Sequence, residues 1–167
     1  MCTRKFFITT AVLLSVSTAM AQYGRDIDTL PTLDASETDV IVYFVRPAVM
    51  GSDVDFWSFV DDTLIGVTRG TNCVVGKVPA GERVVWSKGS NVSALSVELE
   101  AGETYHFKQN VRIVGARPQV NLELMDTTEA EDVISGCQHK ELTRAGVEQG
   151  REVLAADYEE AVDRANE

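Results

Sequence analysis

Histidine is nearly missing from this sequence, cysteine and proline are scarce, and no long apolar run follows the first twenty residues. Each shortage excludes something. With only His106 and His139, few catalytic sets can be assembled, because a nucleophile needs a base beside it and a third group orienting that base. A structural zinc site needs four ligands, and Cys137-Gln138-His139 supplies two at a spacing that fits no standard finger. Basic residues are outnumbered, 15 Lys and Arg against 26 Asp and Glu, for a formal charge of −11. Such a surface repels nucleic-acid phosphates and anionic headgroups, so neither is an expected partner. The missing second apolar run excludes a further membrane-spanning helix, which needs about 20 residues.

What is present begins with an export signal. Arg4 and Lys5 precede an apolar run from Phe6 to Val16, which leads to Ala19-Met20-Ala21. That order fits a secretory signal, and cleavage is expected after Ala21, with Ala19 and Ala21 as the small residues of the motif. The run is too short for a membrane anchor. Cys2 precedes it and would be discarded, so no lipid-anchoring cysteine stands at the cleavage point. The expected mature chain, 146 residues at a charge of −13, is large enough for one core. It retains Cys73 and Cys137, and an oxidising compartment favours a bridge between them. Two separate buried thiols are the alternative that sequence leaves open.

Residues 22–38 show little apolar periodicity and read as a flexible leader. From Asp39 short β-rich runs alternate with turns. They are Val40–Val45, Asp55–Val60, Leu64–Thr68, Cys73–Val78, Arg83–Ser87, Ala94–Glu100, Tyr105–Lys108 and Gln119–Leu124. Seven or eight short strands, joined mainly by hairpin-length turns and lacking a crossover helix, predict a mainly β protein, an antiparallel sandwich spanning 39–138. Asp126 or Thr127 caps a short helix that Gly136 ends. In 139–167 a narrow stripe of Val147, Leu154, Tyr158 and Val162 predicts a C-terminal helix over 149–164, packed on the domain or projecting from it. Gly146 and Gly150 weaken its first half.

Several motifs fall in a specific order. Val42-Tyr43-Phe44-Val45-Arg46-Pro47 is followed by Phe59 to Gly66, by Val78-Pro79-Ala80-Gly81-Glu82, by Leu99 to Tyr105, and by Glu123-Leu124-Met125 through Gly136-Cys137. This succession resembles a bacterial family catalogued as domain-of-unknown-function family 2846. The resemblance covers residues 39 to 138 and implies an exported, often lipid-anchored envelope protein with a sandwich-like domain. It supplies no catalytic residues. The chain departs from it in lacking an anchor cysteine and in extending past Cys137.

Other candidate chemistry is explained more simply. Gly70 and Gly76-Lys77 miss the phosphate-loop spacing and lie in a β pattern. Asp53-Val54-Asp55 lacks the further oxygen ligands and glycine of a calcium loop. Asp61-Asp62 suits a turn. Trp57 and Trp86 are expected in the core, and His106 on an outward strand face. Asn91-Val92-Ser93 fits a glycosylation acceptor, relevant only in a eukaryotic host. The expectation is therefore a module with no catalytic residue, no cofactor and no metal site, binding an unidentified protein or envelope component or serving a structural part. Self-association through the C-terminal helix is a further expectation. A hydrolase or metal-dependent enzyme assembled from distant residues is the competing one.

Overall fold

The computed structural model describes residues 23–28, 33, 35, 37–47 and 52–167. The expected cleavage residues Ala19 and Ala21 lie outside the described residues. The elements are β1 (Gly24–Ile27), β2 (Asp39–Val45), β3 (Phe56–Val60), β4 (Thr63–Thr68), β5 (Asn72–Pro79), β6 (Gly81–Lys88), β7 (Val92–Leu99), β8 (Thr104–Val114), β9 (Arg117–Leu124), α1 (Thr127–Ser135), β10 (Gln138–Leu142) and α2 (Arg144–Ala165). They form a six-stranded sheet, ordered β1-β10-β5-β2-β8-β9, and a four-stranded sheet, ordered β4-β3-β6-β7. The protein is mainly β, with two sheets, a short helix and a C-terminal helix.

Side chains alternate across a strand, so each inner strand serves two layers. Val40, Val42 and Phe44 of β2 meet Val60, Val85, Leu99 and Phe107 between the sheets. From β3, Trp57 and Phe59 point the other way and join Trp86 and Ala161 under α2. Val45 and Cys73 pack with Met125 and Ala130 beneath α1. The layers run α1, six-stranded sheet, four-stranded sheet, α2. Burying each Val, Leu or Phe contributes about 1.5–3 kcal/mol. Trp86 is fully buried, as is nearly all of Trp57, and Trp86 stacks on Phe59 with ring centroids 4.1 Å apart.

Two pairings depart from the antiparallel expectation. β2 runs parallel to β8, and β10 parallel to β5. A parallel pair needs a long connection, and here the chain makes it by visiting the opposite sheet between β2 and β8. No crossover helix is required.

The leader and the C-terminal extension are also corrected. Gly24–Ile27 is a strand paired antiparallel with β10, in register Arg25↔Glu141 and Asp26↔Lys140. These residues carry no apolar alternation. Ion pairs from Arg25 to Glu141 at 2.8 Å and from Lys140 to Asp26 at 2.6 Å link them instead. Both strands belong to the six-stranded sheet, which raises the strand number among the described residues to ten.

Helix α2 begins at Arg144, earlier than expected. Thr143 caps it, its Oγ1 accepting from the Gly146 amide at 3.1 Å. The two glycines that weaken a free helix are its contact points. A Cβ on Gly146 would collide with the Tyr23 carbonyl, and one on Gly150 with Leu64. Leu154 and Tyr158 lie against the Trp86 cluster, so the helix packs on the domain. Gly146→Ala should raise intrinsic helicity yet destabilise the protein by about 2 kcal/mol, because the collision is with backbone and cannot be relieved by a rotamer. Urea unfolding of the variant checks this.

Side chains close one outer edge. β9 ends the larger sheet. Asn91 accepts from the Val120 amide at 2.8 Å and donates to the Val120 carbonyl at 2.9 Å, Ser93 Oγ accepts from the Leu122 amide, and Ser90 donates to the Pro118 carbonyl. The Asn91 amide that a glycan would need is thus already engaged.

Candidate functional site

The most polar region of the interior lies between the two sheets near the start of β3. Ser58, Thr68 and Ser87 sit at inward positions of β3, β4 and β6, and Gln109 faces them from β8; all four are buried. Gln109 Nε2 donates to Ser58 Oγ and to Ser87 Oγ, both at 2.9 Å, and Gln109 Oε1 accepts from Thr68 Oγ1 at 2.6 Å. The amide thus ties one sheet to three strands of the other. Each of these hydroxyls is bonded to the neutral Gln109 amide.

Beside this network β2 is followed directly by Arg46, which is fully buried. Its guanidinium lies 4.0 Å from the Phe56 ring centroid, and Nη1 donates to the Val54 carbonyl at 2.6 Å. Loss of hydration pushes its pKa down to about 10, opposed by the charge of Asp55. Burial in turn raises the Asp55 carboxyl, against the pull of Arg69, Arg46 and Lys140. Arg69 pairs with Asp55 at 3.5 Å and donates to the Asp53 carbonyl at 2.7 Å. Arg46 and Arg69 therefore hold the approach to β3 by its backbone carbonyls. Asp53-Val54-Asp55 is thus engaged at two backbone carbonyls and at the Asp55 carboxylate.

A raised carboxyl has a definite consequence for stability. The folded form holds the Asp55 proton more tightly than the unfolded chain, so its contribution falls as pH rises through the window above the ordinary carboxylate value. The stability difference between the protein and Asp55→Asn should shift against the parent across that window. Urea midpoints measured from pH 3 to pH 7 check it, and a pH-independent difference would remove the argument.

Cys73 and Cys137 are joined as a disulfide, with α-carbons 6.0 Å apart, inside the range that a bridge requires. Cys73 is buried in β5 and Cys137 follows α1, so the bond pins the α1–β10 segment to the sheet. His139 neighbours Cys73 across the β10–β5 pair. Burial lowers its pKa, and its Nδ1 has no hydrogen-bond partner among the described residues. His106 lies on the outer face of β8, stacked on Tyr43 at 5.1 Å between ring centroids. It borders a shallow cleft with Glu100, Glu103 and Asp126. The structure does not gather Cys73, His106 and His139 into one site. Among the described residues no cluster of three or more His, Cys, Asp or Glu could hold a metal ion.

Asp61 is a turn residue at φ 49°. Its carboxylate accepts from the Val84 amide at 2.9 Å and pairs with Arg83 at 3.1 Å, while its carbonyl accepts from Trp86 Nε1 at 2.9 Å. Sequence reasoning missed Arg46 and the Gln109 network. The signal was available as polar residues on inward positions: Ser58 amid Phe56–Val60, and Gln109 two residues after Phe107.

Comparison of the chain with protein-family models and with curated proteins finds no match.

Proposed function

We propose that the chain is an exported, disulfide-stapled sandwich module that works by binding a protein or envelope component, or by scaffolding, without catalysis. The observation that carries this reading is the Cys73–Cys137 bridge. Structural disulfides persist in oxidising compartments, which agrees with the signal-like start of the sequence. The bond also spends the only two thiols that would survive cleavage after Ala21. The remaining candidate groups support the reading too: Ser58, Ser87 and Thr68 bond to Gln109, and Asp61 holds a turn. The ordered motifs between Tyr43 and Cys137 keep membership of domain-of-unknown-function family 2846, and a bacterial envelope location, within the proposal.

The test is made on protein recovered from its own host. Periplasmic or extracellular recovery, an N-terminus at Gln22 and a 73–137 bridge in non-reducing peptide maps are expected. Affinity capture from the envelope extract should then return a partner in stoichiometric amount. Recovery from the cytoplasm with free thiols would sink the export reading. Turnover of a substrate that is lost on changing one residue would sink the non-enzymatic one.

A further inference from the structure

The β8–β9 ribbon has an end unlike the rest of the surface. β8 pairs with β2 only as far as Lys108, and its pairing with β9 continues to Val114↔Arg117. Gly115, at φ 63°, turns the tip. Ile113 and Val114 there are 48% and 55% exposed. Being consecutive in a strand, they point to opposite faces of the ribbon. Arg112 and Arg117 flank them, and among the described residues neither forms an ion pair. From Lys108 to Leu122 there is no acidic residue, in a chain that holds 26.

Two free arginines call for an anionic partner. An apolar tip exposed on both faces calls for surroundings that close around it from all sides. A flat protein face would cover Ile113 or Val114 but not both, whereas the fluid boundary between headgroups and acyl chains covers both. Arginine suits that boundary, because its stem lies along apolar material while its charge stays at headgroup level. The acidic bulk of the protein does not prevent a tip-first approach, since charges farther than about 8 Å are largely screened at physiological ionic strength. We propose that this tip docks peripherally on an anionic lipid surface, inserting Ile113 and Val114 between headgroups held by Arg112 and Arg117.

The test uses protein recovered from its host, with variants made in the same background. Vesicles of phosphatidylglycerol with phosphatidylcholine should carry the protein in flotation, and vesicles of phosphatidylcholine alone should not. The double variant Arg112→Ala/Arg117→Ala should bind the anionic vesicles about thirtyfold more weakly, with an unchanged circular dichroism spectrum. Val114→Trp reports insertion directly: its emission should shift to the blue on adding anionic vesicles, over a constant background from the buried Trp57 and Trp86. Undiminished binding by the double variant, or an unshifted Val114→Trp spectrum, overturns the proposal. So does retention on immobilised polyglutamate without vesicle binding, which would assign the tip to an acidic protein.

Discussion

Replacing Gln109 by leucine, a change that nearly conserves volume, is expected to destabilise the protein by about 4 kcal/mol, since each buried polar group left without a partner costs about 1–3 kcal/mol. Leucine removes the donor to Ser58 and Ser87 and the short-range acceptor of Thr68, which keeps only a contact to the Phe56 carbonyl at 3.5 Å. All three hydroxyls are buried, so water cannot replace the amide without opening the sandwich. The size of the effect comes from what remains behind, because one neutral hydrogen bond is worth only about 1 kcal/mol net. A second variant separates these causes. Adding Ser58→Ala, Ser87→Ala and Thr68→Val to Gln109→Leu should recover most of the loss, since an apolar interior of equal volume has no orphaned groups. Urea unfolding followed by tryptophan fluorescence measures both. A single-variant loss below about 1 kcal/mol would show that the amide is not what joins the sheets.

The other large effect is on the bridge. Cys73→Ala/Cys137→Ala is expected to lower stability by about 4 kcal/mol, from the chain entropy released when a loop of this length is opened. The sequence separation is 64 residues, and the loop contains β6 to β9 and α1. Opening it frees the unfolded chain much more than the folded one, where position 73 still lies in the cluster of Val45 and Met125. The fold should therefore survive, with near-unchanged circular dichroism and a lower urea midpoint. Reductant should reproduce the shift in the parent and have no effect on the double variant. A midpoint insensitive to both treatments would mean that packing beneath α1 already holds the segment.

The eight strands whose apolar residues alternate or run together were legible in the sequence, because burial of one or both faces dictates those patterns. Helix α1 was legible through its ends: Asp126 caps it, accepting from the Glu129 amide at 2.8 Å, and Gly136 follows it. What escaped was held together by other means. β1 and β10 bury little and cohere through backbone pairing and cross-strand ion pairs, neither of which leaves an apolar period. Gly146 and Gly150 read as helix weakeners because propensity carries no information about the Tyr23 carbonyl or Leu64. The parallel pairs escaped because the chain travels between them through the opposite sheet, a path no local pattern records. Of the candidate site residues, the two cysteines were found by counting, while Arg46 and Gln109 were hidden by their chemistry, being polar side chains buried just past the end of β2 and on the inward face of β8.

The short run Ser90 to Ser93 has a consequence for how the protein behaves in a crowd. An incoming strand that sought to lengthen the larger sheet past β9 would first have to displace four hydrogen bonds made there by side chains. Barriers of this kind keep open sheets from templating one another into fibrils. The same three residues, Ser90, Asn91 and Ser93, thus guard the folded population against lateral polymerisation, and they do so without a charge.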